Sequence, residues 1–378
     1  MKKQTPYFLI LLLLLISNAT LAQWQNKSFT HQGNVRNYRV YKSPNYSASQ
    51  PAALVLTLHG LGDDMTNFSG KGMNYVADTA NIIVVVPQAM NDQLAGTAWN
   101  SGAGMLGYYP NSAINDVAFI DDLLDTIQTN YAINPNRVYA CGFSMGGFFT
   151  NRLAVELNDR FTAFASVSGT FGFGLPSYNP NSSIRIAHFH GTADQTVPFA
   201  GNASGIGADS LVNFWVDNNN CNPVPQHIVV PDTQNDGYTI DHYIYTGGDN
   251  NSSVEFYKVT GADHVWLTPS NDIFYTTEIW KFFYKHQQQA STVSLNENID
   301  DHSIDVYPNP VADLLHIRDL ENDASEISIL DFNGRILYTS NLNGVNTLSV
   351  KDLNLKSGSY LLRINDNNTV KQKQFIVE

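Results

Sequence analysis

Apolar runs of strand length alternate with helical patterns through most of the chain. The predicted strands are Lys27–Thr30, Arg36–Tyr41, Ala53–Leu58, Ile82–Val86, Arg137–Cys141, Ala163–Val167, Ile184–Phe189 and Val254–Val259. Helical spacing of apolar residues is seen at Met73–Thr79, Asn115–Tyr131, Gly147–Leu157, Asp209–Val216 and Asp272–Tyr284. Buried strands that alternate with helices predict an α/β fold, in which a mostly parallel sheet is covered by helices on both faces.

The first residues have the pattern of a signal peptide. Lys2 and Lys3 precede the apolar run Phe8–Ile16, and small residues follow up to Ala22. This order predicts a signal peptide over residues 1–22 and export of the mature chain. Gln23 stands where a lipoprotein would need cysteine, so we expect no lipid anchor, and no other apolar stretch is long enough to span a membrane.

The pattern changes again near the carboxyl end. Residues 287–303 are polar, with few large apolar side chains, and this composition predicts a linker. Short apolar strands separated by turn signals follow, at Leu314–Ile317, Ile327–Leu330 and Tyr360–Ile364. We therefore expect three parts after the signal peptide: an α/β domain at 23–286, a linker at 287–303 and a small all-β sandwich at 304–378.

Composition narrows the classes of partner. The net charge is −13, and removal of Lys2 and Lys3 would give 19 − 34 = −15, which disfavours nucleic acid and anionic membranes as partners. Export would permit a disulfide between Cys141 and Cys221, but Cys141 ends a predicted buried strand and is better explained as a small core residue. We expect no metal and no cofactor, since the Cys and His spacing does not resemble a zinc site.

The sequence Gly142-Phe143-Ser144-Met145-Gly146 fits the G-x-S-x-G pattern of a nucleophile elbow. In that motif a serine sits on a sharp turn between a buried strand and a helix, which is the context predicted here. The glycines leave room for the turn, and the amide of Met145 would point at the reacting oxygen. A plain Gly-Ser turn between two elements explains the five residues alone, so the assignment depends on partners elsewhere in the chain.

Candidate partners follow the elbow in the order that serine hydrolases require. Asp194 comes just after one predicted strand and His264 just after the last. In this arrangement Ser144 is the nucleophile, His264 the base and Asp194 the residue that orients the base. His188 is better explained as a satisfied core histidine.

Other residues near the predicted strand ends are candidates for binding. The turn His59-Gly60-Leu61-Gly62 follows a buried strand, and the amide of Leu61 is the candidate second donor of an oxyanion hole beside Met145. His59, Trp99, Tyr108 and Trp266 are tentative substrate-binding residues, although the aromatic ones could equally cover the core. We expect Asp116 to cap the long helix.

Several motifs together resemble a known family. The runs L-H-G-L-G-D, W-N, R-V-Y-A-C-G-F-S-M-G-G and H-G-T-A-D-Q-T-V-P-F are similar to those of polyhydroxybutyrate-depolymerase-like esterases, a group that includes feruloyl and acetylxylan esterases of carbohydrate esterase family 1. The resemblance covers about residues 35–285. It implies an α/β-hydrolase fold, a secreted serine esterase, and Ser144, Asp194 and His264 as its triad. Phe143, Met145 and Cys141 depart from the usual residues around the serine.

The last residues resemble a second family. The runs V-Y-P-N-P-V, D-F-N-G-R, L-K-S-G-S-Y-L-L-R-I and K-Q-F-I-V are similar to the C-terminal sorting domain of the type IX secretion system. The resemblance implies transit through the periplasm, a partnership with that machinery, and release or surface attachment of the mature protein. Three functions stay open: an esterase acting on plant cell-wall esters or a polyester, a peptidase of the prolyl-oligopeptidase type, and a non-catalytic surface binding protein on a hydrolase fold.

Overall fold

The computed structural model divides the chain into two compact units, residues 1–288 and 289–378. It describes residues 24–44, 46–104, 107–175, 179–287, 305–318, 326–330, 336–340, 347–356, 358–365 and 370–377. The predicted signal peptide (1–22) and all but the first residue of the predicted linker (287–303) lie outside the described residues. Among the helices of the described part, none has the length and apolar character needed to cross a membrane.

The first unit alternates strands and helices. In chain order its elements are β1 (Trp24–His31), β2 (Asn34–Lys42), β3 (Ala52–Leu58), α1 (Met65–Phe68), α2 (Met73–Thr79), β4 (Ile82–Pro87), β5 (Met90–Asp92), β6 (Gly96–Ala98), α3 (Asp116–Asn130), β7 (Ile133–Phe143), α4 (Met145–Glu156), β8 (Ala163–Val167), β9 (Ile186–Gly191), β10 (Gly201–Asn202), β11 (Gly205–Ile206), α5 (Ala208–Asn218), β12 (Gln226–Val230), β13 (Thr239–Tyr245), β14 (Val254–Thr260) and α6 (Tyr275–Lys285).

Ten of these strands form one sheet in the order β1-β2-β4-β3-β7-β8-β9-β14-β13-β12. The central pairs from β4 to β14 are parallel, and the pairs at both edges are antiparallel. The predicted fold class, a mostly parallel sheet with helices, is confirmed. Parallel neighbours bring the carboxyl ends of β3, β7, β9 and β14 to one edge of the sheet, where the loops that follow them can form a site.

Helices cover both faces of the sheet and bury two apolar clusters. One cluster joins alternate residues of β3 to α3, α4 and α5, and the other joins the remaining residues of β3 to α2 and α6. Within β3, Leu54 and Leu56 face the first cluster, whereas Ala53 and Val55 face the second. Since the side chains of a strand alternate between faces, an apolar residue at every position is what a strand buried on both sides requires.

Two sequence-based expectations in this unit need correction. The antiparallel strands β12 and β13 were not predicted: β12 lies at the sheet edge with exposed side chains at four of its five positions, and its apolar run, Ile228–Val230, is only three residues long. Asp116 does not cap α3. Asn115 is the N-cap and accepts from the Ala118 amide, while Asp116 is fully buried and pairs with Arg36 at 2.7 Å.

The two cysteines are both free and buried. Cys141 is fully buried on β7, between strands β3 and β8 of the sheet, and belongs to one of the apolar clusters. Its place agrees with its interpretation as a small core residue.

The second unit is all-β. Its described strands are β15 (Asp305–Tyr307), β16 (Leu314–Arg318), β17 (Glu326–Leu330), β18 (Ile336–Ser340), β19 (Thr347–Ser349), β20 (Gly358–Asn365) and β21 (Val370–Val377). They form a three-stranded sheet in the order β15-β16-β19 and a four-stranded sheet in the order β18-β17-β20-β21, both antiparallel. One apolar core, which includes Ile317 from the first sheet and Leu362 from the second, joins them as a small sandwich.

Candidate active site

Ser144 is the single residue between the end of β7 and the start of α4. Its backbone angles are φ 56° and ψ −122°, a conformation that a residue with a side chain rarely adopts. The Ser144 amide donates to the carbonyl of Val167 on the neighbouring strand at 2.9 Å, which holds the strained residue in place. Strain of this kind costs on the order of 1–3 kcal/mol and is typical of functional sites.

Glycines around Ser144 allow the sharp turn. A Cβ on Gly142 would lie 2.2 Å from the carbonyl oxygen of Gly146, and a Cβ on Gly146 would lie 2.1 Å from that of Leu58. Gly169 is equally constrained, because its Cβ would lie 2.4 Å from the carbonyl oxygen of Ser144. The sequence identified the first two glycines through the motif. It gave no signal for Gly169, which lies in the loop after β8.

Asp194 lies in the turn that follows β9 and has only 4% of its surface exposed. One carboxylate oxygen, Oδ1, accepts hydrogen bonds from the amides of Thr196 at 2.9 Å and Val197 at 2.8 Å. The other oxygen, Oδ2, lies 2.8 Å from Nδ1 of His264. The carboxylate is therefore fixed by its own turn and directed at one histidine.

The surroundings of Asp194 favour its ionised form. Burial alone would raise the pKa of the carboxyl group, but the hydrogen bonds from His264 and from the amide of Val197, together with the nearby His190, outweigh it. The pKa of Asp194 lies below its ordinary value as a result. An ionised carboxylate at this point stabilises a positive charge on the histidine that it contacts.

His264 is held in the loop after β14 by contacts on several sides. Its backbone amide donates to Oδ1 of Asp263 at 2.8 Å, and the same oxygen accepts from the amide of Gln195 at 3.0 Å. Asp263 thus ties the histidine loop to the Asp194 turn, a role that the sequence analysis missed. The ring of Phe143 lies against the imidazole with centroids 4.7 Å apart. Because Nδ1–H donates to the carboxylate, the neutral ring carries its lone pair on Nε2.

The candidate oxyanion donors lie on two sides of the serine. Met145 is the first residue of α4, so its amide has no partner within the helix and lies at the positive end of the helix dipole. The turn after β3 lies close to Ser144, since a Cβ on Gly60 would lie 3.4 Å from Cβ of Ser144. Leu61 follows in that turn and has 49% of its surface exposed. The donor roles of both amides stay predictions.

Two of the four tentative substrate-binding residues have structural surroundings instead. His59 and Trp99 are both fully buried. Nδ1 of His59 lies 2.8 Å from the carbonyl of Gly60, and Nε2 accepts from the amide of Ala89 at 3.1 Å. Nε1 of Trp99 donates to the carbonyl of His59 at 2.9 Å, and its ring stacks on Phe149. Neither side chain presents surface to a substrate, and both stabilise the turn that carries Leu61.

The other two tentative residues differ in exposure. Trp266 has 8% of its surface exposed, donates from Nε1 to Oγ1 of Thr276 at 3.0 Å and packs edge-on against Phe143. It therefore supports the ring that contacts His264. Tyr108 has 40% of its surface exposed, and its hydroxyl donates to the carboxylate of Asp92. Of these four residues, Tyr108 has the most surface available for a ligand.

Among the residues that the structure describes, no group of three or more His, Cys, Asp or Glu side chains is arranged to hold a metal ion. A serine on a strained turn and a histidine paired with a carboxylate are the kinds of side chain that acyl transfer by serine hydrolases uses.

Two families of known proteins match parts of this chain. Residues 45–227 match the phospholipase/carboxylesterase family, and residues 305–378 match the secretion system C-terminal sorting domain. The second match indicates secretion to the extracellular space or the cell surface. The first match includes Ser144 and Asp194 and ends before His264.

Individual relatives extend beyond that range. Feruloyl esterase D of Neurospora crassa is 28% identical over 282 residues, which cover 70% of this chain and 87% of the relative. Poly(3-hydroxyalkanoate) depolymerase C of Paucimonas lemoignei is 24% identical over 296 residues, which cover 70% and 66% of the two chains. The chain spans 23% and 48% of the lengths of two other curated relatives.

A solved structure shares the architecture. The acetyl xylan esterase from Aspergillus awamori aligns with a TM-score of 0.51 at 14% identity, over 68% of this chain and 98% of that one. At this identity the likeness establishes the fold alone. The first unit therefore has the α/β-hydrolase fold, as the sequence resemblance implied.

Proposed function

We propose that this chain, whose residues 45–227 match the phospholipase/carboxylesterase family, is a secreted serine esterase that cleaves carboxylic esters through an acyl-enzyme. The observation that carries the proposal is the 2.8 Å contact between Asp194 Oδ2 and His264 Nδ1. The imidazole of His264 also lies against the ring of Phe143, the residue that precedes Ser144 and its strained turn. A histidine fixed in this way is ready to accept a proton at Nε2.

The reaction divides into two transfers of the acyl group. Ser144 Oγ attacks the ester carbonyl while His264 Nε2 takes the serine proton, and the amides of Met145 and Leu61 stabilise the oxyanion. His264 then gives this proton to the leaving alcohol, which leaves the acyl group on Ser144. Water then attacks the acyl-enzyme while His264 Nε2 takes a proton from it. The bond between Ser144 Oγ and the acyl carbon breaks, His264 returns the proton to Ser144 Oγ, and the carboxylic acid is released. Asp194 stabilises the imidazolium in both transfers.

The substrate class follows from the relatives rather than from the triad. We propose a feruloyl or acetyl ester of plant polysaccharide as substrate, with a hydroxyalkanoate polyester as the second candidate. The feruloyl esterase and the depolymerase each align with 70% of this chain, and the feruloyl esterase is the more similar of the two, at 28% against 24% identity. This difference favours the polysaccharide ester over the polyester as substrate. Tyr108, with its exposed ring, is the candidate residue for stacking against an aromatic acyl group or a sugar.

The route of the protein is part of the proposal. After removal of residues 1–22 the chain would pass through the periplasm, and residues 305–378 would direct it to the secretion machinery. The mature enzyme would then act outside the cell or on its surface, where polymeric substrates are found.

The primary test compares p-nitrophenyl acetate hydrolysis by the wild type, Ser144→Ala and a matched Ser252→Ala control. Ser252 is buried just before the amino end of β14, away from the strand ends that carry the site, and its Oγ has no hydrogen-bond partner among the described residues. We expect Ser144→Ala to lose activity by at least about 10³-fold and Ser252→Ala to retain it. Equal rates in the wild type and Ser144→Ala would reject the proposal.

Two further measurements separate the alternatives. A fluorophosphonate probe should label wild type and not Ser144→Ala, and an unlabelled wild type would favour a binding protein on a hydrolase fold. A panel of methyl ferulate, acetylated xylan, hydroxybutyrate oligomers and proline-containing peptides then identifies the acyl group. Cleavage of the peptides in preference to the esters would favour a peptidase of the prolyl-oligopeptidase type.

A further inference from the structure

A row of buried polar side chains crosses the sheet beneath the turn that carries Asp194. Ser166 on β8 and His188 and His190 on β9 each have 1% or less of their surface exposed. Ser166 Oγ lies 2.7 Å from His188 Nδ1, His188 Nε2 lies 3.1 Å from His190 Nδ1, and His190 Nε2 lies 2.8 Å from the carbonyl of Val197. The proposed esterase chemistry uses none of these three side chains.

The direction of every hydrogen bond in the row follows from its last member. The Val197 carbonyl can only accept, so His190 must carry a proton on Nε2. In a neutral ring Nδ1 of His190 is then an acceptor, which requires a proton on Nε2 of His188. Nδ1 of His188 is an acceptor in turn, and the hydroxyl of Ser166 donates to it. The Val197 carbonyl thus selects one tautomer of both histidines, and the Ser166 hydroxyl, which can donate or accept, is the donor at the start of the row.

The row ends on the residue that also holds the candidate triad carboxylate. The amide of Val197 donates to Oδ1 of Asp194 at 2.8 Å, while its carbonyl accepts from His190 at 2.8 Å. His190 Nε2 itself lies 3.5 Å from Oδ2 of Asp194, the oxygen that contacts His264. A displacement of the His190 ring would therefore move the turn and both oxygens of the carboxylate.

Protonation of His190 is disfavoured by its surroundings. The charged and titratable groups around it are Asp194, His188, His264 and Asp209, and the ring of Phe199 packs edge-on against it. Burial lowers the pKa of His190, and burial followed by the neighbouring His190 lowers that of His188 well below its usual value. A second proton on His190 would also bring two N–H groups together across 3.1 Å. Both rings therefore stay neutral.

We propose that His190 is a positioning residue for Asp194: with its Nε2–H directed at the Val197 carbonyl and its Nδ1 facing His188, it fixes the Val197 peptide that orients the triad carboxylate. The inference deepens the proposed esterase mechanism and rests on it. His190 would not touch the substrate, so its loss should change the rate of the chemical steps and leave binding of the ester unchanged.

Two substitutions at His190 make a matched pair. His190→Gln places an amide N–H near the position of Nε2, whereas the shorter side chain of His190→Asn ends near the position of Nδ1 and cannot reach the Val197 carbonyl. We expect His190→Asn to lower kcat about 10–100-fold with KM within about 2-fold, because small displacements of catalytic groups cost rates of that order. His190→Gln should restore kcat to within about 3-fold of wild type.

The result that would overturn the proposal is a folded His190→Asn protein with wild-type kcat, or equal losses in the Asn and Gln variants. If His190→Asn does not fold, Ser166→Ala replaces it, since it removes only the hydroxyl that contacts Nδ1 of His188 and leaves His188 without that partner. We expect Ser166→Ala to lower kcat about 3–10-fold at constant KM, and an unchanged kcat there would reject the proposal.

Histidine spectra of the wild-type chain provide an independent readout. In long-range ¹H–¹⁵N spectra of [¹⁵N]histidine-labelled protein, assigned with His190→Gln and Ser166→Ala, both rings should be neutral Nε2–H tautomers at pH 8. A neutral Nδ1–H form of either ring would contradict the inference. If the wild-type protein showed no esterase activity, the proposed function would be rejected, but the spectra would still show which tautomers the two histidines adopt.

Discussion

The backbone of Ser144 carries a strain that only a glycine would avoid. At φ 56° and ψ −122° the conformational strain of the residue is on the order of 1–3 kcal/mol. A glycine would relieve this strain, but its more flexible unfolded state would offset about 0.5–1 kcal/mol of the gain. We therefore expect Ser144→Gly to raise the free energy of unfolding by about 1 kcal/mol over Ser144→Ala. Both variants lack the proposed nucleophile, so both should be inactive.

Urea unfolding followed by tryptophan fluorescence measures this difference. The five tryptophans are residues 24, 99, 215, 266 and 280, so the signal reports the first unit and is silent for the second. Both variants remove the same hydroxyl, and Ser144→Ala therefore serves as the control for side-chain loss. Equal stability of the two variants would mean that the turn holds no strain at this residue.

At the scale of single residues, the sequence can identify groups whose position follows from a strand end. Ser144, Asp194 and His264 each follow a strand that hydrophobicity alone predicts, and the structure brings the last two into contact. The sequence cannot tell a buried aromatic residue from an exposed one in a loop. His59 and Trp99 were therefore assigned to the substrate, although their burial depends on packing against residues distant in sequence, such as Phe149 on α4.

At the scale of elements, the junction between β7 and α4 depends on close backbone contact. A Cβ on Gly146 would lie 2.1 Å from the carbonyl oxygen of Leu58, and backbone atoms cannot move aside cheaply in the middle of a sheet. We expect Gly146→Ala to lower the free energy of unfolding by about 3 kcal/mol or more. Activity should fall as well, because the helix would shift away from β3.

The matched control for this change is Gly33→Ala in the turn between β1 and β2. Gly33 has a φ of 81° and nothing within 4 Å of its added Cβ, so that substitution introduces backbone strain without a clash. It should cost about 1–2 kcal/mol. The same urea titration checks both variants. A Gly146→Ala protein no less stable than Gly33→Ala would show that close contact is not what requires glycine at the elbow.

Helices and strands with a clear spacing of apolar residues were predicted well, and strands without such spacing were missed. Helix α2 was predicted with its observed bounds, Met73–Thr79, and strand β8 with its bounds, Ala163–Val167. Strands β12 and β13 escaped notice because neither has a long apolar run: that of β12 is three residues long, and β13 mixes polar with apolar residues. Register between distant strands, which decides where their loops meet, leaves no trace in local periodicity.

At the scale of the whole molecule, the first unit keeps several histidines neutral in its interior. Burial lowers the pKa of His59, His190 and, most strongly, His188. Burial and the nearby charge of Lys285 lower the pKa of His286 to about 4. These groups are distributed over the sheet from β3 to the end of α6, so their protonation opposes the fold as a whole and not one loop of it.

The direction of the resulting pH dependence follows from linkage. An unfolded histidine has a pKa of about 6.5, so between that value and the lower folded value the unfolded chain binds more protons than the native one. Stability from each such group is fully present above about pH 6.5 and is lost as the pH falls toward its folded pKa. Each group contributes a slope of up to about 1.4 kcal/mol per pH unit in that window.

His286 offers the clearest single test, because its ring is 9% exposed and its Nε2 is paired with Oγ of Ser253 at 2.9 Å. His286→Gln keeps a polar group there but removes the titration. Between pH 6.5 and pH 5 the free energy of unfolding of the first unit should fall in both proteins, and more steeply in the wild type, by up to about 1.4 kcal/mol per pH unit. Tryptophan-detected urea unfolding at several pH values measures both slopes. Equal slopes would mean that His286 is not held neutral by the fold, and a steeper slope in the variant would contradict the sign of the linkage.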